Sequence, residues 1–220
     1  MTDKGMTRLT ASDGHEFDCW IEPASTAKRG GIVILQEIFG VTEQLKGVAA
    51  HYAAQGFDVA IPALFDRVRP GTVVPFDKAT DGRDLMMQTK PEETLRDIAA
   101  ASDAVGGKAA AIGFCWGGGL ALRAAQSLDI AGAVAFYGTR LQTLLETPLK
   151  APILFHFGKT DDHSPPEVIA AVRTAYPQAE CHEYDTGHAF ANDHRPAVYN
   201  QSCAAIAHDR TSAFLDKLFG

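Results

Sequence analysis

The segment around Cys115 contains the residues best suited to covalent chemistry. Residues 113–117 read Gly-Phe-Cys-Trp-Gly, between an apolar run and a run of small residues, which predicts a strand, a sharp turn and a helix. This is the G-x-S-x-G pattern of a nucleophile elbow, with cysteine in place of serine. The glycines let strand and helix approach closely, and a helix N-terminus favours a nearby anion. The pattern therefore predicts that Cys115 is a nucleophile.

A nucleophilic cysteine needs a base that takes the thiol proton and an acid that orients the base. The elbow pattern predicts the chain order nucleophile, acid, histidine. His188 follows the last predicted strand and a glycine, which makes it the candidate base. Asp161 and Asp162 both follow the preceding strand, and either could be the acid, a turn residue or a helix cap. With these partners present, a purely structural role for Cys115 is the weaker interpretation.

The elements that position these residues alternate between strands and helices. The Asp13-Gly14 turn predicts an opening hairpin over residues 7–21. Further strands are predicted at 32–35, 57–61, 109–112, 130–136, 151–157 and 180–184, and helices at 43–55, 91–105, 164–176 and 195–218, besides one after Cys115. This alternation predicts an α/β fold, with a mostly parallel sheet, helices on both faces and an N-terminal antiparallel hairpin, in one domain over residues 1–220.

Polar residues follow most of the predicted strands. In open α/β sheets, ligands bind beyond the carboxyl ends of the strands, so these positions are the candidate site. They are Glu37, Arg67, Cys115, Tyr137, Asp161 or Asp162, and His188. Residues 62–80 form a loop rich in Pro, Gly and Arg that is long enough to contribute to function.

Composition narrows the possible partners. A net charge of -7 without a basic stripe argues against nucleic acid. No apolar run approaches the ~20 residues of a membrane span, and the N-terminus has no signal-like apolar region. Four scattered cysteines without a CxxC pair indicate a reducing, cytoplasmic location and no zinc. The spacing of the histidines predicts no metal site. We expect no cofactor and a small-molecule substrate, and the negative charge without an obvious apolar stripe favours a monomer.

Together these residues resemble the dienelactone hydrolase family of the α/β-hydrolase fold. The resemblance extends from about Ile32 through His188 to the closing helix. It rests on Glu37 in QEIFG, Arg67 in PALFDRVRPGT, Cys115 in GFCWGG, Tyr137 in FYG, Asp161 in GKTDDHSPP and His188 in GHAF. A cysteine elbow joined to an upstream QE-x-FG is far more specific than the elbow alone.

The resemblance implies roles for individual residues. It implies a Cys115-His188-Asp161 triad, since the family pattern falls on Asp161, and an oxyanion hole from the backbone N–H groups of Ile38 and Trp116. It also implies that three further residues bind substrate or modulate the nucleophile: Glu37, Arg67 and Tyr137. Of these, Glu37 would lie beside the cysteine, and Arg67 would bind a substrate carboxylate. The implied reaction is hydrolysis of a carboxylated dienelactone, or another small ester or lactone, through a thioester.

One departure from the family pattern affects the expected substrate. In dienelactone hydrolases of the chlorocatechol pathway, an arginine four residues after the histidine also binds substrate, and here that position is Asn192. Half of the carboxylate clamp is therefore missing. The alternatives are a broad carboxylesterase for neutral esters or, from a different class, a non-catalytic ligand-binding or redox-sensing thiol protein.

Overall fold

The computed structural model describes residues 3–220, in which two compact units meet in sequence at Ala110 and Ala111. The prediction of a single domain over residues 1–220 stays a prediction, and its first two residues lie outside the described part. The strands of the first unit are β1 Gly5–Thr10, β2 Glu16–Glu22, β3 Gly30–Leu35 and β4 Phe57–Pro62. Its α-helices are α1 Glu43–Ala53, α2 Ala79–Gln88 and α3 Pro91–Ala104.

The opening hairpin shows why local sequence produces this local structure. Gly14 takes a positive φ of 82°, and the N–H of Ala11 donates to the carbonyl of His15 at 2.8 Å, which closes the turn. In β2, alternate residues such as Phe17 and Cys19 are buried, as a strand with one covered face requires. Strands β1, β2 and β4 pair antiparallel in that order, and β3 pairs parallel with β4.

The second unit contains the strands that lead into most of the candidate site. Its strands lie in the order β5, β6, β7, β8, and β6, β7 and β8 run parallel. The first three are buried along their whole length, which explains their largely apolar sequences, in which His156 of β7 is the buried polar residue. The strands are β5 Ala110–Phe114, β6 Gly132–Phe136, β7 Ile153–Gly158 and β8 Glu180–Tyr184; the helices are α4 Trp116–Ser127, α5 Pro166–Ala175 and α6 Gln201–Phe219.

These elements confirm the predicted α/β class, with its mixed, mostly parallel strands and antiparallel hairpin. Two details differ from the sequence-based expectation. The segment expected to be a loop contains a 3₁₀ turn at Leu64–Arg67, and α2 follows it without a clear apolar stripe, since only Gly82 and Leu85 of that helix are buried. The closing helix begins at Gln201, later than expected.

The late start of α6 has a local cause. The side chain of Asn200 accepts a hydrogen bond from the backbone N–H of Cys203 at 3.1 Å, so Asn200 caps the helix. The residues before it form turns, in which the N–H groups of Val198 and Tyr199 donate to the carbonyl of Arg195. Among residues 3–220, no helix is long and apolar enough to span a membrane.

Candidate active site

Cys115 lies in a sharp turn between β5 and α4. Its backbone has φ 55° and ψ -116°, a left-handed conformation that costs a non-glycine residue about 1–3 kcal/mol. Surrounding backbone hydrogen bonds hold it there. The N–H of Cys115 donates to the carbonyl of Phe136 at 3.0 Å, and its own carbonyl accepts from Gly118 at 2.9 Å and Thr139 at 3.1 Å. The turn therefore places the thiol at the N-terminus of α4, as the elbow pattern predicts.

Gly113 makes the tight turn possible, and we expect Gly113→Ala to destabilise the protein. A Cβ atom at this position would overlap the backbone carbonyl group of Gly117. Because backbone cannot yield as a flexible side chain does, the expected loss of unfolding free energy is about 2–3 kcal/mol in urea denaturation. Gly47→Ala is the matched control, since a Cβ there meets no heavy atom within 4 Å and favours helix α1. Equal effects of the two substitutions would contradict this account of the turn.

Asp161 and His188 come from the loops after β7 and β8. The Nδ1 atom of His188 lies 2.8 Å from Oδ2 of Asp161, whose other oxygen accepts the backbone N–H of His163 at 2.8 Å. Asp161 is 2% exposed, whereas Asp162 is exposed. The structure thus places Asp161, of the two candidate acids, against the imidazole.

The thiol group of Cys115 also acts on His188 and favours its charged form. Since Nδ1 faces Asp161, Nε2 is the nitrogen available to the sulfur. Burial disfavours the charged imidazolium, but the interactions with Asp161 and Cys115 outweigh it and raise the pKa of His188 to about 10. The three side chains form a connected set with the geometry of a nucleophile, a base and an orienting acid.

The raised pKa predicts a specific pH dependence of stability. The folded-state pKa of about 10 lies above the ~6.5 of an unfolded chain, so the stabilisation by His188 is fully present below about pH 6.5 and is lost as the pH rises through 10. We expect the unfolding free energy of the wild type to fall relative to that of His188→Gln between about pH 7 and 10.

Urea denaturation at several pH values measures this difference. His182→Gln is the control, because burial lowers the pKa of His182. Its imidazole is therefore mostly uncharged over this pH range in both the folded and the unfolded chain. If the difference in unfolding free energy between wild type and His188→Gln stays constant from about pH 7 to 10, the imidazolium is not stabilised in the folded protein.

Aromatic rings enclose one side of His188. The Tyr137 ring is fully buried, and its centroid lies 5.2 Å from that of His188, while Phe190 packs on Tyr137 at 5.3 Å. Tyr137 follows β6 with a positive φ of 38°. The exposed ring of His163 lies 4.6 Å from His188 on another side. His163 was not predicted from the sequence, in which its only signal is its position next to the two candidate acids.

Asn192 occupies the position at which the family resemblance leads one to expect an arginine. It is fully buried, its N–H donates to the carbonyl of Ala189 at 3.0 Å, and its side-chain oxygen accepts the N–H of His194 at 3.2 Å. These contacts are those of an Asx turn. Asn192 therefore shapes the loop after His188 and supplies no positive charge.

Glu37 and Ile38 belong to the first unit, directly after β3. Glu37 is 3% exposed and Ile38 is half-buried. The side chain of Gln36 organises this turn, since its nitrogen donates to the carbonyl of Glu37 at 3.3 Å and its oxygen accepts the N–H of Leu64 at 3.1 Å. The roles of Glu37 and Ile38 remain predictions from the resemblance.

Arg67 forms ion pairs within the first unit. Its guanidinium donates to both oxygens of Asp97, at 2.7 and 2.8 Å, and to both oxygens of Asp13, at 3.0 and 3.1 Å. Its side chain is 7% exposed and that of Asp97 is fully buried. Burial raises the pKa of Asp97 against the opposing effect of Arg67. A substrate carboxylate would have to replace one of these partners, and carboxylate binding by Arg67 remains a prediction.

The chain is similar to known proteins along nearly its whole length. The sequence profile of the Dienelactone hydrolase family matches residues 18–219. A carboxymethylenebutenolidase of Pseudomonas putida is 32% identical over 225 residues, covering 96% of this chain and 95% of the relative. A second one, from Pseudomonas sp. strain P51, is 29% identical and covers 99% of this chain and 97% of the relative.

Solved structures show the same fold. A structure from Klebsiella pneumoniae that bears the dienelactone hydrolase name has a TM-score of 0.80 at 23% identity, covering 96% of this chain and 98% of its own. The dienelactone hydrolase-like promiscuous phosphotriesterase P91, from metagenomic libraries, has a TM-score of 0.76 at 20% identity, covering 98% and 100%. At this identity the likeness establishes the fold alone.

The strand order, the elbow and these neighbours define the chain as an α/β hydrolase. Within that class, the chain belongs to the dienelactone hydrolase family. This confirms the resemblance and the assignment to hydrolases that were made from the sequence. Among residues 3–220, no cluster of three or more His, Cys, Asp or Glu side chains could hold a metal ion.

Proposed function

We propose that this protein hydrolyses small esters or lactones through a thioester on Cys115. The observation that supports this most directly is the connected set of Cys115, His188 and Asp161. The thiol lies at a helix N-terminus and favours the charged form of His188, which lies 2.8 Å from the carboxylate of the almost fully buried Asp161. A structural cysteine needs neither a strained backbone nor a paired imidazole.

The proposed reaction proceeds in two half-reactions. The raised pKa of His188 favours transfer of the thiol proton from Cys115 to the imidazole before attack. The resulting sulfur anion attacks the carbonyl carbon, which forms a C–S bond and an oxyanion. The oxyanion collapses, the C–O bond to the alcohol breaks, and His188 donates its proton to the leaving oxygen. Water then attacks the thioester with His188 as base, and the C–S bond breaks to return Cys115 and release the carboxylic acid.

Other residues support this chemistry in the proposal. Asp161 holds the imidazole with Nδ1 towards itself and stabilises its charged form. The N–H of Trp116, the first residue of α4, is a proposed oxyanion donor, and such a donor contributes about 3–4 kcal/mol. The second donor, Ile38, and the influence of Glu37 on the cysteine are proposed from the family resemblance.

Two substrate classes fit this mechanism. A carboxylated dienelactone is proposed from the carboxymethylenebutenolidase relatives. A neutral small ester is the second candidate, and the site geometry favours it, because Arg67 is engaged by Asp13 and Asp97 and Asn192 supplies no charge. A non-catalytic thiol protein is disfavoured by the paired base and acid, although it would share the fold.

The test compares kcat/KM for a carboxylated dienelactone with that for a neutral ester of similar size. A preference of about 10-fold or more for either one, which is about 1.4 kcal/mol in transition-state stabilisation, assigns the substrate class. The engaged state of Arg67 leads us to expect that the neutral ester is preferred. Failure of the protein to hydrolyse either substrate faster than Cys115→Ala does would refute the proposed function.

A further inference from the structure

A cavity of about 490 Å³ lies in the second unit beside His188. It is lined by Asp161 and His188 and by residues from the loops after β7 and β8. Cys115 is not one of the described residues that line this cavity. Its volume is in the range of small-molecule sites, ~300–1,000 Å³. The cavity therefore borders the base of the proposed triad but not its nucleophile.

The position of the cavity, beside His188 but not Cys115, indicates which part of an ester it would hold during a two-step acyl transfer. The nucleophile becomes bonded to the acyl carbon, so the acyl group must lie against the sulfur. The base donates its proton to the leaving oxygen, so the alcohol must lie against the imidazole. A space next to His188 and away from Cys115 is therefore on the alcohol side of the scissile bond.

The charges around the cavity indicate what kind of alcohol it suits. The carboxylate of Asp161 balances the charge of His188 at 2.8 Å. Asp162 is exposed, and no lysine or arginine is among the described residues that line the cavity. The other polar lining groups include Thr186, Tyr199 and Asn200, which can hydrogen-bond neutral alcohols. A carboxylate in this space would face Asp162 with no lysine or arginine among these residues to compensate. His163 and His188 are the described lining residues that can carry a positive charge, and His188 is already paired with Asp161.

We propose that this cavity is the leaving-group subsite and that it selects esters whose alcohol part is neutral or cationic over those whose alcohol part carries a carboxylate. The inference rests on the proposed function and specifies its substrate class. In carboxymethylenebutenolides, the carboxylate is attached through the exocyclic double bond to the carbon that bears the ring oxygen. When the ring C–O bond breaks, the carboxylate remains on the enol side of the opened molecule, which stays attached to the acyl group. The subsite would face that side, so it disfavours such dienelactones and favours uncharged or cationic esters.

The experiment uses three butyrate esters that differ only in the charge of the alcohol: butyrylcholine, its uncharged 3,3-dimethylbutyl analogue, and a carboxylate-bearing analogue of the same length. Rates are measured at about pH 8, where the carboxylate of the third ester is fully ionised. We expect kcat/KM to be lowest for the carboxylate ester. Asp162→Asn should reduce the ratio of cationic to carboxylate ester by about 5-fold at low salt, and less at high salt.

Asp209→Asn is the matched control, since Asp209 is exposed on α6 and does not line the cavity. A steric variant tests the same assignment without charge. Val198 is a half-buried lining residue, and Val198→Trp should raise KM for 3,3-dimethylbutyl butyrate by about 5-fold or more relative to its effect on KM for methyl butyrate.

The outcomes separate this inference from the proposed function. A preference for the carboxylate ester, or charge ratios that are the same in Asp162→Asn and wild type, overturns the subsite while Cys115-dependent hydrolysis still stands. Equal effects of Val198→Trp on methyl and dimethylbutyl esters overturn it as well. Absence of any Cys115-dependent hydrolysis overturns both proposals.

Discussion

Cys115→Ala is expected to lower kcat/KM for ester hydrolysis by about 10³-fold or more, because without the sulfur no thioester forms. The residual rate would come from substrate binding and from oxyanion donors such as the Trp116 N–H, which can still act on a water molecule. Alanine is smaller than cysteine and fits the same turn, so the fold and the unfolding midpoint should change little. Steady-state kinetics with a neutral ester measure the effect.

Cys203→Ala is the matched control, since Cys203 is also a half-buried free cysteine but lies on α6. Its activity should equal that of the wild type. Mass spectrometry during turnover of a slow ester should show the mass of the acyl group on the peptide that contains Cys115. A Cys115→Ala protein with wild-type activity would show that the thiol is not the nucleophile and would leave the redox or ligand-binding interpretation.

Arg67→Met is expected to reduce the free energy of unfolding by about 3–5 kcal/mol, because it leaves a buried carboxylate without its cation. The side chain of Asp97 is fully buried and accepts two hydrogen bonds from the guanidinium, at 2.7 and 2.8 Å. Methionine keeps much of the apolar length of arginine, so the loss reflects mainly the charge. Replacing both partners, as in Arg67→Met with Asp97→Leu, should recover much of it.

Arg96→Met is the matched control for this ion pair. Arg96 contacts the same Asp13 at 3.0 Å, but its side chain is 47% exposed, so its loss should cost less than about 1 kcal/mol in urea denaturation. Similar costs for Arg67→Met and Arg96→Met would mean that the buried pair is not a major stabilising contact. It follows that substrate tests with variants of Arg67 must first establish that the variant is folded at the assay temperature.

Local features of this protein could be predicted from the sequence better than contacts between distant residues. The elbow depends on glycines within two residues of Cys115 and on an adjacent strand and helix, so local sequence was sufficient to predict it. The start of α6 also has a local signal in Asn200, a residue type that favours helix N-caps, but the helix was predicted to begin earlier. The helix α2 was missed because only Gly82 and Leu85 of it are buried, so no periodic apolar pattern marks it. The 3₁₀ turn was missed because its four residues are too few to show a period, although Leu64 and Phe65 are buried.

The sequence by itself determined the α/β class, the family and the set of residues at the ends of the strands, because hydrophobic periodicity and motif spacing are properties of neighbouring residues. Only the tertiary structure decided which polar groups meet. It paired Asp161 and not the adjacent Asp162 with His188, residues 27 apart in the chain, and Arg67 with Asp13 and Asp97, 54 and 30 residues away. Neighbouring residues such as Asp161 and Asp162 point in different directions, and the packing of distant segments determines which of them meets a given partner. Spacing along the chain therefore does not reveal which side chain points into the site or which group it contacts.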